Sequence, residues 1–71
     1  MFYDVLIYLE PTVEEAEQGK KEEMLFYSGD KPIRGDKDET VGFLAVSKLL
    51  NEKPELEDKA DRIKVKLRPF G

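Results

Sequence analysis

The chain contains no cysteine and no histidine. Without cysteine, no disulfide can staple a small core, and cysteine-bound zinc is excluded. Without histidine, the usual acid–base group of neutral pH and the commonest metal ligand are both missing. No apolar run is long enough to span a bilayer, and the mean hydropathy is −0.59. The opening MFYDVLIYLEP has no basic stretch and is interrupted early by Asp4, so it reads as a strand and not as a signal peptide. A cytoplasmic protein with no cofactor, no metal and no membrane association is expected.

What is present is charge. Of 71 residues, 16 are acidic and 12 basic, for a net charge of −4. Residues 1–71 make one small α+β domain whose core supplies only a few kcal/mol of net stability. Such a domain gains from pairing with a second copy or a partner, so a homodimer is expected. The acidic balance argues against binding that works by neutralising phosphates, so nucleic acid is not the expected partner.

Three strands and one helix follow from the patterning. Phe2–Leu9 is rich in β-branched and aromatic residues and stops before Pro11. Tyr3, Val5, Ile7 and Leu9 share one face, and Phe2, Asp4, Leu6 and Tyr8 the other. Both faces are mostly apolar, which suits a central strand. In Glu10–Glu22, Thr12 and Glu15 match a capping box and Gly19 is placed to end a helical turn. A short helix or a solvated acidic loop both fit there. Glu23–Ser28 is a second strand, followed by a turn-rich stretch with breakers at Gly29, Pro32 and Gly35. Asp38–Glu52 is a helix, with Asp38 as its expected cap. Pro54 and a charged connector follow, with room for one more helical turn. Arg62–Phe70 alternates cleanly, Ile63, Val65 and Leu67 against Lys64, Lys66 and Arg68. The order β-β-α-β, with a crossover through the helix, gives a three-stranded antiparallel or mixed sheet of order 2-1-3 and the helix on one face.

That helix carries more apolar surface than one contact requires. Val41, Gly42, Phe43, Ala45, Val46, Leu49 and Leu50 sweep a broad arc, while Leu44 falls outside it among Thr40, Ser47, Lys48 and Asn51. Carboxylates stand at both ends, Asp38 and Glu39 before and Glu52 after. One reading is an apolar docking patch (Phe43, Leu44, Ser47) with Asp38, Glu39 and Glu52 standing in for DNA phosphates toward a basic cleft. The other is a broadly buried helix with ordinary solvated charges. On the second sheet face, Phe2, Leu6 and Tyr8 lie beside Lys64, Lys66 and Arg68, with no further helix to cover them. A dimer contact, a solvated face under snorkelling lysines, and a nucleic-acid platform are the three alternatives.

Catalysis is not expected. Ser28 and Ser47 have no histidine to activate them, and Gly29 and Gly35 are followed by no Gly-Lys-Ser/Thr. The acids of SGDKPIRGDKDE lack EF-hand order, though they carry enough oxygens for a weak cation. Arg34-Gly35-Asp36 spells the adhesion tripeptide, but it lies where a turn calls for Gly and Asp in any case.

Tyr3-Asp4-Val5, Gly19-Lys20, Ala60-Asp61-Arg62-Ile63 and Lys66-Leu67-Arg68, in a β-β-α-β order, resemble pieces of the small bacteriophage inhibitors of uracil-DNA glycosylase. The resemblance implies a viral, homodimeric DNA mimic that binds a DNA-repair enzyme through its helix, acidic groups replacing phosphates. Phe43 aligns with the family's helical phenylalanine. Leu44 stands where the family has an acid, and Ser47 where it has a second aromatic. VLIY, EEMLFY and VGFLAVSKLL are also similar to the first half of longin domains, which implies an assembly subunit.

Overall fold

The computed structural model describes residues 1–29 and 31–70, with the side chain of Phe70 left aside. Asp30 and Gly71, the former inside the turn-rich stretch, therefore lie outside the described residues. The strands are β1 (Phe2–Leu9), β2 (Glu23–Tyr27), β3 (Ile33–Arg34) and β4 (Ile63–Phe70). The helices are α1 (Val13–Glu17), α2 (Asp38–Glu52) and a 3₁₀ segment, Pro54–Arg62. No helix among the described residues is long and apolar enough to cross a membrane.

The sheet is open and wholly antiparallel, and β1 is its centre. β4 pairs with β1 along its full length, from Phe2↔Phe70 to Leu9↔Ile63. The other edge of β1 is shared by β2, from Leu6↔Tyr27 to Leu9↔Glu23, and by β3, at Phe2↔Arg34 and Tyr3↔Ile33. Ser28 fills the gap between them. Its N–H donates to the Val5 carbonyl (2.9 Å), and its hydroxyl accepts from the Val5 N–H (2.9 Å). The expected mixed-or-antiparallel sheet of three strands is thus an antiparallel sheet of four. The extra strand is β3, two residues long, which no alternation in a turn-rich stretch can announce. The register breaks between Ile7 and Tyr8, where β2 carries a bulge. The bulge turns both Leu25 and Phe26 toward the covered side, and Leu25 packs against the core.

Tyr3, Val5, Ile7 and Leu9 form the buried face of β1, and the first three cluster with Val41, Ala45 and Leu49 of α2. Leu56 of the 3₁₀ segment is buried in the same cluster. The segment runs from Pro54 to Arg62, further than the single turn the sequence suggested, because Leu56 anchors it. The α2 contacts repeat at i, i+4, i+8, so the helix meets the sheet along the Val41 edge of its apolar arc, rolled away from the arc's middle. Val46 and Leu50 become half-buried, and Phe43, at the far edge of the arc, faces solvent.

The cap of α2 differs from expectation. Lys37 is the N-cap residue and provides no side-chain bond. Asp38 is already helical, and its carboxylate accepts from the Glu39 N–H at 2.8 Å. Gly42 faces β4, where a Cβ would lie 3.5 Å from Leu67 Cδ1 and 3.8 Å from Val65 Cγ1, ordinary contact distances. Gly42→Ala therefore fills space without overlap and removes a mid-helix glycine. It is expected to raise stability by about 0.5–1 kcal/mol, readable as a higher urea midpoint with unchanged slope.

At the other end, α1 forms with its capping box intact: Thr12 N–H donates to Glu15 Oε1 (3.0 Å), and Glu15 N–H to Thr12 Oγ1 (3.1 Å). Gly19 follows in the left-handed region, φ +84°, and ends the helix as the sequence suggested. Arg62 Nη1 reaches Glu15 Oε1 at 2.9 Å and the Glu10 carbonyl at 3.2 Å, tying α1 to the start of β4. The Thr12 backbone N–H, then the Thr12 hydroxyl, then Arg62 hold the Glu15 carboxyl below its usual value of 4.5. A depressed carboxyl contributes stability above its unfolded value and loses it as pH falls through the folded one. Wild type is expected to exceed Glu15→Gln at pH 7. Urea midpoints of the two should converge as pH falls below about 4.5.

Candidate functional site: an exposed helix ridge and an open sheet face

Two surfaces are left without a partner, one on each side of the molecule. The first is the outer side of α2. Phe43 is 72% exposed and Leu44 57% exposed. At about 100° per residue, they flank the direction pointing away from the sheet, and Ser47 lies between them one turn on. Ser47 is half-buried, and Thr40 and Asn51 complete a neutral ridge.

The three acids assigned to this surface do not gather on one face. Glu39 precedes Phe43 by one turn and shares its flank. Asp38 and Glu52, about 120° and 80° round the helix from Leu44, point toward the sheet side. Both are exposed because they sit at the two ends. The Asp38 carboxylate is already engaged by the Glu39 N–H. The ridge is thus an apolar pair on a neutral strip, with Glu39 the one of the three acids beside it.

The second surface is the open face of the sheet. Direct cross-strand partners point the same way, so the registers define it. Phe2, Asp4, Leu6 and Tyr8 run down the centre. Tyr27 and Met24 stand opposite Leu6 and Tyr8 on one side, and Arg34 stands opposite Phe2. Arg68, Lys66 and Lys64 stand opposite Asp4, Leu6 and Tyr8 on the other. Met24 and Tyr27 were not picked out from the sequence. Their alternation was visible, but the bulge at Ile7/Tyr8 shifts which β2 residues share a face, and nothing in the sequence marks it.

An open groove of about 710 Å³ lies here, with Asp4 and Leu6 as its floor, Met24 and Tyr27 on one wall, and Lys66 and Arg68 on the other. The Lys66 ammonium sits 5.1 Å from the centre of the Tyr8 ring, a cation–π contact that fixes its direction. Arg68 Nη2 lies 3.6 Å from Asp4 Oδ2, while Asp4 Oδ1 is buried and accepts no hydrogen bond from the described residues. Among the described residues no three carboxylates converge as a metal site. No known protein family, curated protein or solved structure matches the chain.

Proposed function

We propose that the chain is a non-enzymatic protein-binding module that seats the outer ridge of α2 in the basic cleft of a DNA-processing enzyme and blocks it. The observation that carries this reading is the adjacent exposure of Phe43 and Leu44, at 72% and 57%, on a regular helix of an acidic domain. Isolated exposed leucines are commonplace, but two large apolar side chains flanking one outward strip of a rigid helix offer a ready anchor for a pocket. Net charge −4 and the acids at both ends of α2 favour a cationic partner, and they make the encounter fast and sensitive to salt.

Uracil-DNA glycosylase is the target to which the phage-inhibitor resemblance points. The inhibitor would act in the host cytoplasm as a homodimer, a form that also offsets the small core. The test is uracil excision from DNA in the presence of the full chain. Inhibition at micromolar concentration, weakening as salt rises, is expected. Full activity under a micromolar excess removes this enzyme as the target.

A further inference from the structure

We infer that the open face of the sheet is a binding site for single-stranded nucleic acid, independent of the α2 ridge. Four features of that face converge on this ligand. Lys64, Lys66 and Arg68 occupy alternate positions of β4, so their Cα atoms are roughly 6.6 Å apart in one straight row. A row of that pitch can follow the successive phosphates of an extended strand. Second, the charge of the molecule is unevenly divided. Arg34, Lys64, Lys66 and Arg68 share this face with Asp4 and, at its Tyr8 end, Glu22, while most of the other acids crowd α1, the ends of α2 and the 3₁₀ segment. A polyanion within a Debye length meets the local sign, not the net charge.

Third, the wall facing the cations is made for stacking. Tyr27 is 54% exposed and, among the described residues, no cation lies over its ring, in contrast to Tyr8, which Lys66 covers. A base can lie on Tyr27 while its phosphates track β4. Fourth, the Asp4 carboxylate lines the groove, with Oδ2 paired to Arg68 only at 3.6 Å and Oδ1 without a donor among the described residues. A base amino group can donate to the exposed edge of this carboxylate, and cytosine N4 is the one carboxylates favour. A second copy of the chain would instead bring another cation row onto this one. An acidic polypeptide would match the cations but offer Tyr27 no planar partner.

The experiment is a fluorescence-anisotropy titration of the full chain against labelled oligo(dC) and oligo(dT) of about 12 nucleotides. Saturable binding, tighter for oligo(dC), is expected. With three cations on phosphates, affinity should fall roughly twentyfold between about 50 and about 200 mM NaCl. Lys64→Glu with Lys66→Glu should weaken binding at least about tenfold, Tyr27→Ala should weaken it at both salts, and Asp4→Ala should narrow the preference for oligo(dC). Circular dichroism checks that each variant is folded. Phe43→Ala, on the other side of the molecule, should leave the titration unchanged, which separates this site from the docking ridge. An oligoribonucleotide arm tells RNA from DNA as the source, and either result supports the site. Absence of binding at low salt overturns the inference, as does equal displacement by polyglutamate or full affinity in the double-glutamate variant. Self-association that buries Tyr27 also overturns it.

Discussion

Gly35→Ala is expected to lower stability by about 1–3 kcal/mol, the usual cost of forcing an extra methyl group into a packed core. A Cβ on Gly35 would overlap Cγ2 of Val41, and Val41 is fully buried between α2 and β1. The backbone cannot easily retreat either, because the Gly35 N–H donates to the Met1 carbonyl at 3.0 Å and holds the chain against the start of β1. A domain with only a few kcal/mol in hand shows such a loss as a large drop in urea midpoint. The glycine of Arg34-Gly35-Asp36 thus has a packing reason. It lets the chain pass from β3 into α2 beneath a valine. Gly42→Ala is the contrasting case, since the same added methyl there finds room beside Leu67.

The second large effect is on docking. Phe43→Ala with Leu44→Ala is expected to leave folding within about 0.5 kcal/mol of wild type, because both side chains are mostly exposed and support no core contact. The same pair is expected to cost the partner interaction about 100-fold or more, as removal of central apolar anchors does. Competition binding at fixed salt reads the loss. By comparison, Glu39→Gln should mainly slow association and flatten the salt dependence. An unchanged affinity in the double alanine variant would remove the ridge from the interface.

Much of the fold was legible because its signals are local. β1 and α2 begin and end where composition and periodicity place them, and the Thr12/Glu15 box with Gly19 marks α1. Alternation marks Arg62–Phe70 as a strand, one residue longer than β4, and the crossover through α2 places it beside β1. The features missed depend on contacts distant in sequence. β3 exists only because Ile33 and Arg34 meet Tyr3 and Phe2, and the bulge in β2 depends on how Leu25 packs. Phe43 lay on the apolar arc by periodicity, but periodicity fixes the arc and not the roll of the helix on the sheet. Asp38 and Glu52 stand about 120° and 80° round the helix from Leu44 by their spacing alone, and the roll turns both toward the sheet side. The open sheet face was legible as Phe2, Leu6 and Tyr8 with the β4 cations. Its groove, with the orphaned Asp4 oxygen, needed the register.

The most direct measurement is amide hydrogen exchange along the whole chain, with and without saturating uracil-DNA glycosylase. If the outer side of α2 is the docking surface, slowed exchange on complex formation concentrates at Thr40–Asn51, and β4 keeps its free-state rates. Unchanged rates along α2, or protection confined to the strands, would contradict it.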